Sequence, residues 1–346
     1  MKAVVYEGVG SVAVREIPDA AVEEPGDALV RVSVAGICGS DLHFFHGKAP
    51  LEPGETIGHE AVGIVESCGS SVERFSLGER VVVAFTIACG ACWFCLHGQT
   101  QLCEHFRNLG AGAFGGSLGG AQAELLRVPN ADMNLLGVPD GVEDEVALFA
   151  GDVFSTGWYT TALCDVGPGE SVGVVGAGPV GFAIVQAALA RGASTVVAFE
   201  SEQERLTLAE GAGAVAVDVT SRHPQIAAAE LTADRGLDRV FEAVGAPPAL
   251  ETALDVVRRG GTVGVVGMYA GEEVPLPLGV LWSRAIDLRF AGVCPVHAWW
   301  EETMENLRTG VLDPRPLISH RLALEEAAAG YELFDARRAT KVLLLP

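Results

Sequence analysis

From Glu170 to Met268 the chain alternates short, unbroken apolar runs with stretches of helical periodicity, and no other feature narrows the choice of fold as far. SVGVVGAG leads into PVGFAIVQAALARG and STVVAFE into SEQERLTLAEGAG; AVAVD, RVFEAVG, PALETALDVVRRG and TVGVVGM complete the series. Strands that are apolar on both faces and separated by helices form a parallel sheet covered on both sides. An α/β fold with a doubly wound sheet is therefore expected over this part of the chain.

Inside the series, Gly176–Gly181 reads GAGPVG, a G-x-G-x-x-G turn with a strand before it and a helix after it. Gly176 is expected to make the tight turn and Gly178 to let the backbone approach a pyrophosphate. Gly181 then lets helix and strand pack closely, with Pro179 and Val180 opening the helix. The free N–H groups and partial positive charge of that helix end suit an anion. Glu200 closes STVVAFE, where a carboxylate accepts hydrogen bonds from the adenosine ribose hydroxyls and repels a 2′-phosphate. Arg205, one turn further on, reaches the same ribose. These residues predict NAD in preference to NADP.

Residues 1 to about 130 read differently, as short valine-rich strands with Gly/Pro punctuation: KAVVYE, ALVRVSVAGI, EAVGIVESCG and ERVVVAF. VEDEVALFAGDVFSTGWYTTALCD then has helical spacing. From about Ala291 the texture is mixed again and ends in a strand-like KVLLLP. At 346 residues, two domains are expected.

The composition is 49% hydrophobic and 20% charged, which is globular, and the net charge of −22 repels phosphate backbones and argues against nucleic acid as a partner. No apolar stretch reaches the roughly 18 residues of a membrane span. The first residues lack the pattern of a secretory signal, so a cytoplasmic location is expected. In that compartment Cys89, Cys92, Cys95 and Cys103, at C-x2-C-x2-C-x7-C spacing, read as metal ligands rather than disulfides.

GICGSDLH (36–43), GHE (58–60), the four-cysteine stretch, GDVFSTG (151–157), GAGPVG and Glu200 occur in that order. With them the chain resembles the zinc-dependent medium-chain alcohol dehydrogenases over nearly its full length. The resemblance implies a GroES-like catalytic domain, residues 1–153 plus 291–346, carrying two zinc sites, and a Rossmann NAD-binding domain, residues 154–290. It makes Cys38, His59 and Asp152 the protein ligands of a catalytic zinc. The usual set in alcohol dehydrogenase is two cysteines and a histidine, leaving one position open. Here aspartate takes the third place, a harder donor that makes the site less thiophilic. Glu60 is implied to lie near this zinc and to bind it when substrate is absent. Asp41 would orient the histidine, Ser40 would contact the substrate oxygen, and His43 would pass the proton on. Thr156 would pack on the nicotinamide. Cys89, Cys92, Cys95 and Cys103 would hold a structural zinc, because four thiolates close a tetrahedral site and leave no place for substrate.

Taken alone, Cys38 would read as a buried apolar thiol, His43 as a loop histidine and Asp152 as a helix cap. The joint pattern overturns such readings for Cys38, His59 and Asp152. Cys68, Cys164 and Cys294 read as small core residues. The function expected is reversible hydride transfer between a small-molecule alcohol or carbonyl compound and NAD, in a homodimer or homotetramer. Phe85, Met268, Leu109 and Phe44 are pocket candidates that favour an apolar or aromatic alcohol. The alternatives within the superfamily are a polyol, threonine or formaldehyde dehydrogenase. A zinc-free reductase would lack the Cys38, His59 and Asp152 set. A nucleic-acid-binding zinc ribbon conflicts with the charge and with the absence of a basic patch around residues 89–103.

Overall fold

The computed structural model describes residues 1–269 and 273–346. The chain forms two compact units, Met1–Ser155 with Pro295–Pro346, and Thr156–Cys294.

Among the described residues, the second unit carries a six-stranded sheet in the order Val215–Asp218, Thr195–Glu200, Ser171–Val175, Leu237–Glu242, Val257–Val265, Asp287–Phe290. Every neighbouring pair is parallel. This is the doubly wound Rossmann arrangement, and its order reverses between Ser171–Val175 and Leu237–Glu242, where such sheets bind ligands at the carboxyl ends of their strands. All five residues of Ser171–Val175 are buried, as their continuous apolar sequence requires. The helix Pro179–Ala190 buries Gly181, Phe182, Ala183, Ile184, Val185, Ala187 and Ala188, and its small residues bring it close to the sheet. One boundary differs from the sequence reading. PALETALDVVRRG is helical only over Pro247–Val256, and Val257 already pairs with Leu237. A β-branched pair followed by two arginines and two glycines is a poor helix end, and sheet pairing takes it over.

The first unit holds a seven-stranded sheet. Ile318–Ala323 pairs in parallel with Lys341–Leu345. Antiparallel strands follow: Ala28–Ile37, Glu60–Cys68, Arg80–Val83 and Leu135–Gly137, with Leu125–Val128 beside Ala28–Ile37. The last strand of the chain thus lies against Ala28–Ile37 in the middle of the sheet. Its core includes Val30, Ile37, Val65, Val83, Tyr331, Val342 and Leu344.

The stretch read as helical after Val142 is broken. A short helix, Asp144–Ala147, passes into a 3-10 turn, Leu148–Gly151, and a new helix begins at Val153. Asp152 sits at the break with φ −154° and ψ −86°. An uninterrupted helix would carry its side chain around the axis; the break fixes one direction for it.

Among the described residues no helix is long and apolar enough to cross a membrane.

Candidate metal and cofactor sites

Two strands and one helix break build the first cluster. Cys38 follows directly on Ala28–Ile37, and Glu60 opens the antiparallel neighbour, with Gly36 opposite Glu60 in register. Cys38 and His59 therefore leave the same end of the sheet, and Asp152 joins them from the break before Val153. One ligand atom from each lies within 4.8 Å of the others. His59 Nε2 is 3.3 Å and Cys38 Sγ 3.8 Å from Asp152 Oδ2. Ser40 precedes the five-residue helix Asp41–Phe45 without capping it through its side chain. Its Oγ instead lies 3.4 Å from His59 Nε2. On the far side of the ring, His59 Nδ1 lies 3.0 Å from Asp41 Oδ1, and Asp41 Oδ2 accepts the Cys38 N–H at 2.9 Å. His43 is half-buried on the same short helix.

The electrostatics of this cluster call for a cation. Burial alone would lower the His59 pKa, but the carboxylates of Asp41 and Asp152 outweigh it and raise it well above the ordinary value. A thiol, an imidazole and a carboxylate converging here form a donor set that suits zinc. Glu60 is outside the group of three. It is fully buried and its Oε2 accepts from Lys341 Nζ, itself 0% exposed. Burial raises the Glu60 pKa, with Lys341 opposing. Burial would lower the Lys341 pKa, and the neighbouring Glu60 and Cys38 outweigh it and raise it. The sequence reading missed Lys341. Its signal was a lysine heading the otherwise apolar strand KVLLLP.

The second cluster is local. Cys92 Sγ lies 3.5 Å from Cys95 Sγ and 3.9 Å from Cys103 Sγ, and Cys89 Sγ lies 3.9 Å from Cys95 Sγ. All four are free thiols. The backbone N–H groups of Cys89 and His105 donate to Cys103 Sγ, and those of Ala91 and Cys92 to Cys89 Sγ. Such donors stabilise thiolates. Backbone N–H donors bring the Cys92 thiol down to about 6, whereas burial pushes Cys95 up to about 12. Ala88, Cys95 and Cys103 form the buried apolar centre here, with Cys89, Cys92, Phe106 and Met133 packed around them.

The glycine turn lies in the second unit. Gly176 has φ +90°, and a Cβ on Gly181 would stand 1.9 Å from the Gly176 carbonyl oxygen, so neither position accepts another residue. Gly178 caps the helix, with Pro179 and Val180 in its first turn. Glu200 ends its strand buried, and its carboxylate is tied down by backbone. Oε2 accepts the Ala177 N–H at 2.9 Å, and Oε1 accepts those of Ser201 and Glu202 at 2.7 and 3.2 Å. Arg205 Nη1 is 3.7 Å from Glu200 Oε2 and borders the open side of Gly178. Thr156 is buried in the first turns of Val153–Leu163, and its carbonyl accepts the Thr160 hydroxyl at 2.7 Å. Of the pocket candidates, Phe85 has its ring centroid 6.1 Å from that of His59. Leu109 and Phe44 belong to the core of the first unit, and Met268 is partly exposed in the second.

Known proteins resemble this chain over nearly its full length. The profile of the Alcohol dehydrogenase GroES-like domain matches residues 24–140, and that of Zinc-binding dehydrogenase matches residues 179–309. A probable zinc-binding alcohol dehydrogenase of Mycobacterium tuberculosis is 39% identical over 97% of this chain and 86% of its own. The solved structure of an alcohol dehydrogenase from Thermus sp. ATN1 superposes with a TM-score of 0.96 at 43% identity, covering 100% of this chain and 99% of that one. A zinc-binding dehydrogenase structure from Sinorhizobium meliloti, bound to NADP, superposes with a TM-score of 0.86 at 29% identity, covering 100% and 99%.

Proposed function

Since the chain belongs to the zinc-dependent medium-chain alcohol dehydrogenase family, we propose that it interconverts an alcohol and its carbonyl compound with NAD. One zinc would be held by Cys38, His59 and Asp152 and another by Cys89, Cys92, Cys95 and Cys103. The observation that carries the reading is the convergence of three unlike donors, with His59 and Asp152 buried and the Ser40 hydroxyl at their edge. When bound, zinc supplies a Lewis acid for the alcohol oxygen and the nicotinamide supplies the hydride acceptor. The residues do the rest. Asp41 faces His59 Nδ1 and leaves Nε2 for the metal side. Ser40 Oγ would accept the proton of the alcohol as its own hydroxyl proton passes on, with His43, three positions on, as the next carrier. Glu60 pairs with Lys341 beside the donor set and is the residue that would bind the metal when substrate is absent.

Glu200 supports NAD in preference to NADP. Its carboxylate is fixed by backbone donors, and Oε2, which accepts one backbone N–H, keeps lone-pair capacity for a ribose hydroxyl. A 2′-phosphate would bring about −1.5 to −2 of charge toward it. Arg205 opposes this in part, and a relative's structure holds NADP. We expect roughly 100-fold preference for NAD in kcat/KM, narrowing in Glu200→Ala. Phe85 beside His59 supports an apolar or aromatic alcohol. A homo-oligomer in the cytoplasm is the setting we propose.

The test is a panel of aliphatic, aromatic and polyol alcohols with threonine and formaldehyde, each with NAD and NADP, followed by reduced-cofactor absorbance. Turnover of aromatic or aliphatic secondary alcohols with NAD is expected. Turnover of polyols alone would move the substrate reading, and equal use of NADP would remove the role given to Glu200.

A further inference from the structure

Behind His59 and Asp41 stand two further buried polar groups, Gln122 and Tyr331, that neither the motifs nor the expected ligand set includes. Asp41 is 1% exposed, and Gln122 and Tyr331 are both 0% exposed. Gln122 Nε2 donates to the Gly36 carbonyl at 3.0 Å and to Asp41 Oδ2 at 3.2 Å. The Tyr331 hydroxyl donates to Gln122 Oε1 at 3.0 Å. Because a carbonyl only accepts, the amide nitrogen must face Gly36, and the amide oxygen must face Tyr331. The direction of the chain is therefore fixed from Tyr331 through Gln122 to Asp41. With Asp41 Oδ2 taken by the N–H groups of Gln122 and Cys38, Oδ1 is left for His59 Nδ1.

The backbone is shaped to admit Gln122. Gly58, immediately before His59, has φ +95°, and a Cβ there would stand 2.4 Å from Gln122 Cγ. The Ala121 N–H donates to the Gly58 carbonyl at 2.8 Å. Gln122 thus crosses the chain at the residue that delivers the histidine. Tyr331 has a second hold: its ring stacks on Phe45, on the short helix that carries Asp41, with centroids 5.4 Å apart and planes at 28°.

We propose that Gln122 and Tyr331 are positioning residues of the Cys38–His59–Asp152 site, holding the Asp41 carboxylate so that His59 presents Nε2 to a metal. The proposal rests on the metal reading above. An amide and a phenol in a core of this kind cost stability unless every bond is made, and here Tyr331 ends on Gln122, and Gln122 ends on the Asp41 carboxylate and on the Gly36 carbonyl two residues before Cys38. Partners of metal-ligating histidines typically account for 10- to 100-fold in metal affinity. Gln122, which acts on that partner, is expected to account for about tenfold and Tyr331 for about threefold.

The test is zinc affinity of the purified full chain, measured by competition with a chromophoric chelator, with cobalt substitution as a spectroscopic readout. The variants are Gln122→Leu, Tyr331→Phe and the double variant. Tyr331→Phe keeps the ring on Phe45 and separates the hydroxyl from the packing. The expected result is weaker binding at the Cys38 site alone, an altered cobalt spectrum, an unchanged four-cysteine site, and a double variant no worse than Gln122→Leu, since Tyr331 acts through Gln122. Wild-type affinity and spectrum in both folded single variants would overturn the proposal, as would fully additive losses. If Cys38→Ser loses no metal relative to wild type, it is the metal reading that has failed.

Discussion

The two cysteine-bearing clusters of the first unit are built on opposite plans. The four-cysteine lobe draws its donors from a stretch in which the first and last are 14 positions apart, and its buried apolar centre is Ala88, Cys95 and Cys103. The Cys38 cluster reaches across 114 positions between Cys38 and Asp152, and its donors stand at the ends of two strands and at a helix break that pack on the main core of the unit. The first plan makes metal binding a folding event. The second places pre-formed donors around a position that the protein leaves incomplete, which is what a reactive site needs. Metal removal should therefore unfold the lobe and leave the Cys38 cluster in place.

The largest effect follows from the lobe. Cys92→Ser should abolish one metal site and local order over residues 89–103, since zinc contributes on the order of 10 kcal/mol to small metal-dependent folds. Hydrogen exchange should show fast exchange confined to the lobe and its contacts. Protection equal to wild type would mean that packing holds the lobe without metal.

Next in size is Lys341→Met, which probes whether the Cys38 cluster stands on protein contacts. It leaves Glu60 buried and unpaired, and removing one partner of a buried pair costs about 3–5 kcal/mol. Chemical denaturation should show that loss, and a second change, Glu60→Gln, should recover most of it. A neutral Lys341→Met would show that the pair supports nothing.

A smaller effect concerns how the lobe is tied to the return segment. His297 Nε2 lies 2.8 Å from Asn134 Oδ1 and Nδ1 lies 2.9 Å from Thr100 Oγ1, inside the lobe. The Asn134 Nδ2 donates to the carbonyls of Ala88 and Pro129. Its oxygen therefore faces His297, making Nε2 the donor and Nδ1 the acceptor. Burial lowers the His297 pKa to about 4. Between that value and the ordinary one of about 6.5 the unfolded chain binds more protons, so stability rises with pH and is lost as pH falls. The full difference corresponds to about 3 kcal/mol, and partial exposure of the ring reduces the expectation to about 2. Thermal melts from pH 7 to pH 5 should fall more steeply for wild type than for His297→Gln. Parallel curves would remove His297 from the account.

The two plans also explain what the sequence disclosed. A cluster whose ligands are close in sequence is legible from spacing, and the lobe was. The alternation of apolar runs and helices gave the parallel sheet, because burial on both faces leaves a one-dimensional trace. Cys38, His59 and Asp152 leave no such trace; only a family resemblance joined them. The helix break that aims Asp152 was hidden in a stretch with helical spacing, because the tight turn at Gly151 is a tertiary matter. Lys341, Gln122 and Tyr331 were not found, since their meaning comes from partners 281, 81 and 209 positions away. Glu200 reads from the sequence as a candidate ribose ligand, but its hold on the glycine turn through the Ala177 N–H is visible only in the structure.

The division of labour between the clusters is tested most directly by zinc content and turnover measured together in wild type, Cys38→Ser and Cys92→Ser. With two donor sets among the described residues, the account predicts two zinc ions in wild type and one in each variant. Cys38→Ser should be folded and inactive, and Cys92→Ser should be destabilised, with near-normal kcat in the molecules that remain folded. A Cys38→Ser protein that retains both zinc ions and full turnover, beside a folded Cys92→Ser protein that has lost all activity, would contradict it.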